Sequence, residues 1–271
     1  MERHILRGAL AVLLLAGQAG AASPPSGPLT KCPLDAVVSG AGCMDKYEAS
    51  VWRVPNPTTA NKKLVTKIQQ GKVTVALLVA GGAIPLPSQV SGYEPCAQSG
   101  QNCVDDIYAV SLPGVIPSAD ITWFQAQQAC TNSGKRLPSN AEWQAAVAGT
   151  PDPGRDNGTT DCNTLDITNT GATLTGSRSS CVSSRGAFDM VGNLFEWVAD
   201  WVPRASTCGS WGTFSPTSDI QCLAGAATTG EPGALIRGGF FLDGSNAGPL
   251  SVAADNQPSN TSSGIGFRCV R

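Results

Sequence analysis

Apolar positions recur at helical spacing most clearly between residues 122 and 149. Thr122 followed by Gln125 forms a capping box, after which Trp123, Ala126, Ala129 and Cys130 fall on one stripe before Gly134 ends the helix. Ser139 with Glu142 forms a second capping box beyond Lys135-Arg136-Leu137-Pro138, and this helix runs to about Ala148, with Gly149 as its stop. Both read as core-packing helices rather than as carriers of chemistry. Cys43 to Ala49 mixes polar and apolar residues as a short strand does, and the β-branched, apolar run Val73 to Val79 predicts a buried strand broken by Gly81-Gly82. Residues 53–63 read as a loop, and Cys96 to Cys103 encloses a small polar one. From Thr150 to Gly186 no period is sustained, and residues 202–235 repeat that irregular pattern around Cys208 and Cys222. A loop that long calls for something to staple or ligate it. The expectation is one irregular α+β domain.

The chain's start carries a different signal. Glu2, Arg3 and Arg7 precede an apolar run from Gly8 to Gly17, and Ala19-Gly20-Ala21 offers a small-x-small cleavage site. This is the pattern of a secretory signal peptide over residues 1–21, with an uncleaved anchor as the alternative. The run falls short of the roughly 20 residues needed to span a bilayer. The expected organisation is signal peptide 1–21, a Pro/Ser-containing linker 22–42 and a domain 43–271, secreted or periplasmic, with no stable membrane span after cleavage.

Export changes what the composition excludes. The single histidine, His4, lies in the cleaved segment, so the mature chain can build no Ser-His-Asp triad, no Cys-His pair and no His-ligated metal. Charged residues are only 14% with a net charge of −2, and no basic run exceeds Lys62-Lys63, which argues against nucleic acid as a partner. In an oxidising compartment the 10 cysteines read first as five disulfides. Short loops favour Cys32–Cys43, Cys96–Cys103, Cys162–Cys181 and Cys208–Cys222, which leaves Cys130 to meet Cys269, although spacing alone does not fix connectivity. None of the spacings is CxxC. Asn157-Gly158-Thr159 and Asn260-Thr261-Ser262 match the glycosylation acceptor pattern.

Four segments in order carry a resemblance: "AC" and "GKRLPSNAEW" within Trp123 to Trp143, "GAFDMVGNLFEW" at residues 186–197, Arg237-Gly238-Gly239, and Gly266-Phe267-Arg268-Cys269. Together, from about Cys43 to Arg271, they resemble the formylglycine-generating enzyme, or sulfatase-modifying factor, domain. The resemblance implies a single disulfide-rich domain with little regular structure, related to the C-type lectin fold. Active members oxidise a cysteine of a client sulfatase to formylglycine with O₂ and copper held by two thiolates, a soft ligand pair suited to Cu(I). The matching positions here are Asp243 and Gly248, and Phe240 stands where Ser or Thr follows the Gly-Gly. Copper oxidase chemistry through that pair is therefore not expected, and the iron-and-histidine branch of the family lacks its ligands.

Two family features carry over. Cys130 and Cys269 match a structural disulfide pair, in agreement with the pairing left over above. The resemblance also implies calcium held by the side chains of Asp189 and Glu196 and the carbonyls of Gly192 and Leu194, an oxygen set of the kind calcium takes. The bland reading has Asp189 capping a turn and Glu196 pairing with a basic neighbour. Asn163 is the one remnant found of a second family calcium site, without its Asp partner. The family's groove would be lined from Phe240 to Asn256, with Asp243, Ser245, Asn246, Asp255 and Asn256 as polar groups beside Phe241 and Leu242.

Three functions are carried forward. The first is a secreted, non-catalytic, calcium-stabilised module binding a peptide, protein or glycan. The second is a copper oxidase with a rearranged cysteine pair, Cys208 and Cys222, and the third is a structural envelope protein.

Overall fold

Both capping boxes form. In the computed structural model, which describes residues 31–86, 92–103, 106–165, 171–215 and 217–271, Thr122 accepts from Gln125 N, Ser139 accepts from Glu142 N, and each third residue's side chain reaches back to the cap's amide. In chain order the elements are β1 (Ala36–Ser39), β2 (Gly42–Asp45), β3 (Ala49–Arg53), α1 (Lys62–Gln69), α2 (Val75–Ala80), β4 (Ile84–Pro85), β5 (Ile107–Ser111), α3 (Trp123–Asn132) and α4 (Asn140–Val147). They continue with β6 (Phe195–Val202), β7 (Thr207–Ser210), β8 (Ile220–Ala224), β9 (Gly233–Arg237), β10 (Val252–Ala253) and β11 (Ile265–Phe267).

The strands make a hairpin β1-β2, an antiparallel sheet β4-β3-β5, and a mixed six-stranded sheet in the order β11-β6-β9-β10-β8-β7. β11 pairs parallel to β6 and β10 parallel to β8, so the last residues of the chain return to the middle of the fold. The main core gathers Met44, Ile121, Trp143, Trp197 and Phe267, all fully buried, between the two larger sheets and α3 and α4.

Three differences from the sequence reading have local causes. Residues 73–79 do not form a strand: Thr74 caps a helix start by accepting from Leu77 N, and Val75 and Val79 remain exposed while only Leu78 is buried. One turn of helix with a single buried side chain has too short a pattern to separate from a strand. β1 lies inside the stretch read as a linker and pairs with β2 in the register Val38↔Cys43, so ordered structure begins before residue 43. Residues 202–235 contain β7 and β8, a hairpin whose first strand is exposed along its whole length. With water on both faces, no apolar alternation marks it. By contrast, residues 150–186 contain no helix or strand among the described residues, as the sequence predicts.

The four pairs that short loops favour all form, Cys130 bonds the remaining Cys269, and no cysteine is free. Among the described residues, no helix is long and apolar enough to cross a membrane. The proposed signal peptide lies outside the described residues.

Candidate functional site

The motif residues meet at the centre of the domain. Gly134 ends α3 at φ 68°, and this turn sends Lys135 inward, where its ammonium lies 2.8 Å from the Asp45 carboxylate with both side chains fully buried. Arg136 pairs with Glu142, whose carboxyl this partner holds down at about 2. Leu137 fills the core. Arg237 lies 4.5 Å over the Trp143 ring, and its burial pulls its pKa down to about 10. Gly238 follows at φ 94°, where a Cβ would meet the Met190 carbonyl at 2.9 Å. The motif residues of the sequence are thus largely the architecture of the core.

Around Gly192 the chain makes an oxygen-rich turn. Asp189 sits at φ 58° with its Oδ2 accepting from Gly176 N at 2.6 Å. Glu196, at the start of β6, accepts from Trp143 Nε1 at 2.7 Å and from Arg268 Nε and a terminal nitrogen at 2.6–2.9 Å. The turn-capping and ion-pair contacts of the bland reading therefore both exist. Glu48, from the loop before β3, accepts from Leu194 N at 3.0 Å and from the Asn193 carboxamide. The sequence reading missed Glu48, since nothing in its local pattern separates it from an ordinary strand-flanking acid.

Charge does not balance here. Glu48, Asp189 and Glu196 are all buried; Arg268 hydrogen-bonds the Glu196 carboxylate, and the charge of Arg178, which also faces Asp156, reaches Asp189. Burial first, then Asp189 and Glu196, push the Glu48 carboxyl well above its usual range, and burial lifts Asp189 to about 7. Main-chain acceptors are also left over. Among the described residues, no group donates to the main-chain carbonyls of Gly192 or Leu194. Two carboxylates and two carbonyls around one glycine turn are the oxygen types a hard divalent cation takes, with both Glu196 oxygens already accepting from Arg268. Gly192 cannot carry a side chain, because a Cβ would lie 2.3 Å from the Asn163 carbonyl.

Asn163 stands differently. Its carboxamide nitrogen donates to Gly171 O and Asn193 Oδ1, and its Oδ1 faces the Arg178 guanidinium at 3.5 Å. Arg178 also lies 3.7 Å from Asp156. A protein cation is thus set against this group of oxygens.

The positions matching the family's copper cysteines fail on shape as well as chemistry. Asp243 begins a short turn at Gly244–Asn246, and its Oδ2 accepts from Phe240 N at 3.1 Å while burial lifts its pKa to about 6. At Gly248 a Cβ would lie 2.4 Å from three atoms of the Asp219 carboxylate. Asp219 is locked there by Ser215 Oγ at 2.7 Å, Thr217 Oγ1 at 2.9 Å and Leu250 N at 2.7 Å. Any side chain at residue 248 would have to displace this carboxylate, so the site does not fit a copper ion held by two thiolates. The sequence signals this only indirectly, through the missing side chain at Gly248.

Cys208 and Cys222 are bonded to each other across β7 and β8, with the Asp255 carboxylate within 4.8 Å of the sulfurs. Of the groove residues, Phe240 and Asn256 line a cleft of about 160 Å³ with Phe195, Ile236, Ile265 and Ser262, and the Phe195 and Phe240 rings stack 5.9 Å apart. Ser245 and Asn246 are exposed on their turn and do not line this cleft, while Phe241 packs inward with Ala119 and Leu194.

This arrangement belongs to a known class. The sulfatase-modifying factor enzyme 1-like domain profile matches residues 67–271, and the chain belongs to that family. It is 30% identical over 174 residues to a formylglycine-generating enzyme of Thermomonospora curvata, covering 57% of this chain and 55% of that protein. It is 28% identical over 160 residues to the serine/threonine-protein kinase Pkn1 of Chlamydia trachomatis, covering 57% of this chain and 24% of the kinase. The chain thus spans about half the length of the first relative and about a quarter of the second. Among solved structures, the Major Tropism Determinant P3c variant is similar at 27% identity and a TM-score of 0.38, over 57% of this chain and 38% of the other.

Proposed function

We propose that this chain is a secreted, non-catalytic member of its family, a calcium-stabilised module that binds a peptide or glycan in the cleft beside Phe240. One observation carries the non-catalytic reading: the Asp219 carboxylate fills the space that a side chain at Gly248 would need. A second supports it, since all ten cysteines are paired and no thiolate is on hand for a soft metal. Pairing of every cysteine also favours an oxidising compartment.

Calcium is assigned to Asp189, Glu196 and the carbonyls of Gly192 and Leu194, and its chemistry here is to neutralise buried carboxylate charge. The ligand cleft has stacked aromatic walls with Asn256 and Ser262 as polar groups at its edge. That combination suits a ligand with one apolar face and hydrogen-bonding groups beside it.

Copper decides between this reading and the oxidase. Under a mild reductant the protein is expected to take up no stoichiometric Cu(I). Tight uptake of about one copper, lost in a Cys208→Ser/Cys222→Ser variant, would overturn the proposal and revive the rearranged thiolate pair. Binding at the cleft is tested on peptide and glycan arrays with calcium present. Retention of a ligand is expected to fall roughly tenfold or more in Phe240→Ala, as for loss of a buried aromatic anchor. An array with no retained ligand would favour the purely structural reading instead.

A further inference from the structure

Two cavities share no residue with the Phe240 cleft. The first, about 280 Å³, is walled by Val51, Trp52, Val75, Leu86, Val115 and Leu174. Its mouth is unusually greasy: Val75, Ile116 and Leu174 are 39%, 41% and 44% exposed. The second, about 310 Å³, is lined by Leu34, Lys46, Tyr47, Lys72, Val73 and Pro113. They adjoin along two stretches of chain. Thr74 lines the second and Val75 the first, and Leu112 and Pro113 line the second where Gly114 to Ile116 line the first.

The charges in the second cavity are one-sided. Its acid, Asp35, is held by Arg271 at 2.8 Å. The Lys46 ammonium sits 5.6 Å from the centroids of the Tyr47 and Phe188 rings, which stack on each other. Among the described residues, neither Lys46 nor Lys72 has a carboxylate within 4.0 Å. An apolar pocket thus opens beside two uncompensated cations, in a chain that is otherwise slightly acidic.

We propose that the two cavities form one site for a single-chain anionic amphiphile, with an aliphatic tail in the first and a carboxylate head between Lys46 and Lys72. The charge arrangement selects the head. A carboxylate gains attraction from the lysines lining the second cavity, whereas a neutral head leaves them as they are and a cationic head is repelled. This assignment is independent of calcium and of the Phe240 cleft.

Decanoate, decanol and decyltrimethylammonium, each below its micelle concentration, separate tail from head. Decanoate is expected to bind roughly tenfold or more tightly than decanol, and the cation weakest. In Lys46→Gln/Lys72→Gln that preference is expected to collapse to about threefold or less, with decanol unchanged. Lys72→Gln alone, at an exposed position away from the Tyr47 and Phe188 stack, gives the same trend if the double variant folds poorly. A bromine-terminated decanoate is expected to quench tryptophan fluorescence in the wild type and much less in Trp52→Phe. Equal affinity for acid and alcohol in the wild type, an unchanged preference in the lysine variants, or quenching that persists in Trp52→Phe would overturn the assignment.

Discussion

Replacing Cys130 and Cys269 together by alanine is expected to lower the unfolding free energy by about 4–5 kcal/mol, because the link closes a long loop of the unfolded chain. The two cysteines are 139 residues apart in sequence, against 7 to 19 for the other four pairs. Each of those shorter links removes less chain entropy. The native state also leans on this one more. Both sulfurs are fully buried, Cys269 N donates to Asp45 Oδ2, and Val270 bridges Met44 on one side and Arg136 on the other. Without the bond, the C-terminal segment that joins the hairpin β1-β2 to α3 must be held by packing alone. Denaturant unfolding of the variant against the wild type measures the loss. A loss below about 1 kcal/mol would mean that the link adds nothing to what packing already holds.

The second large effect concerns Arg268. Its guanidinium bonds both oxygens of Glu196 and the carbonyls of Asp45 and Phe188, with its side chain fully buried. Changing Arg268 to Met leaves the buried Glu196 carboxylate without its ion-pair partner and is expected to cost about 3–5 kcal/mol, as for other buried pairs broken on one side. Calcium should separate charge from packing. In the wild type, calcium at a hundred times its dissociation constant is expected to add about 2.7 kcal/mol against an EDTA control. In Arg268→Met the gain should be larger, since more carboxylate charge is left to neutralise. Thermal unfolding with and without calcium measures both. Melting temperatures unmoved by calcium in both proteins would remove the ion from the proposal while leaving the ion pair intact.

These two expectations explain why so much of the domain was legible in its sequence. Helix starts are local: Thr122 with Gln125 and Ser139 with Glu142 satisfy their own backbone amides, and both helices begin where that pattern puts them. Disulfide pairing followed loop length because four of the five links close within one loop or hairpin. The motif words were readable for a different reason. Lys135, Arg237 and Arg268 each carry charge into the core, where it needs a specific partner or ring, and such residues tolerate little drift.

What stayed hidden depended on long-range packing. The run at residues 73–79 carries strand-forming side chains, and only the Thr74 cap and the placement of Leu78 against the smaller core turn it into a helix. β7 and β8 carry no apolar alternation because both faces of β7 meet water, and pairing with β10 fixes them in the sheet. Glu48 lay inside the single strand read from Cys43 to Ala49; in the fold that stretch breaks between β2 and β3, and the chain from residue 189 to 196 folds over Glu48.

By itself, the sequence pointed to the family, to the two capped helices and to the four short disulfide loops, since each rests on residue identity or on contacts close in the chain. Tertiary structure alone decided that the Asp219 carboxylate, 29 residues before Gly248, fills the space beside that glycine. It also decided that Glu48 from one segment is buried beside Asp189 and Glu196 from another, next to Arg268. Side chains distant in sequence compete for the same few ångströms, and only the folded chain says which one takes them.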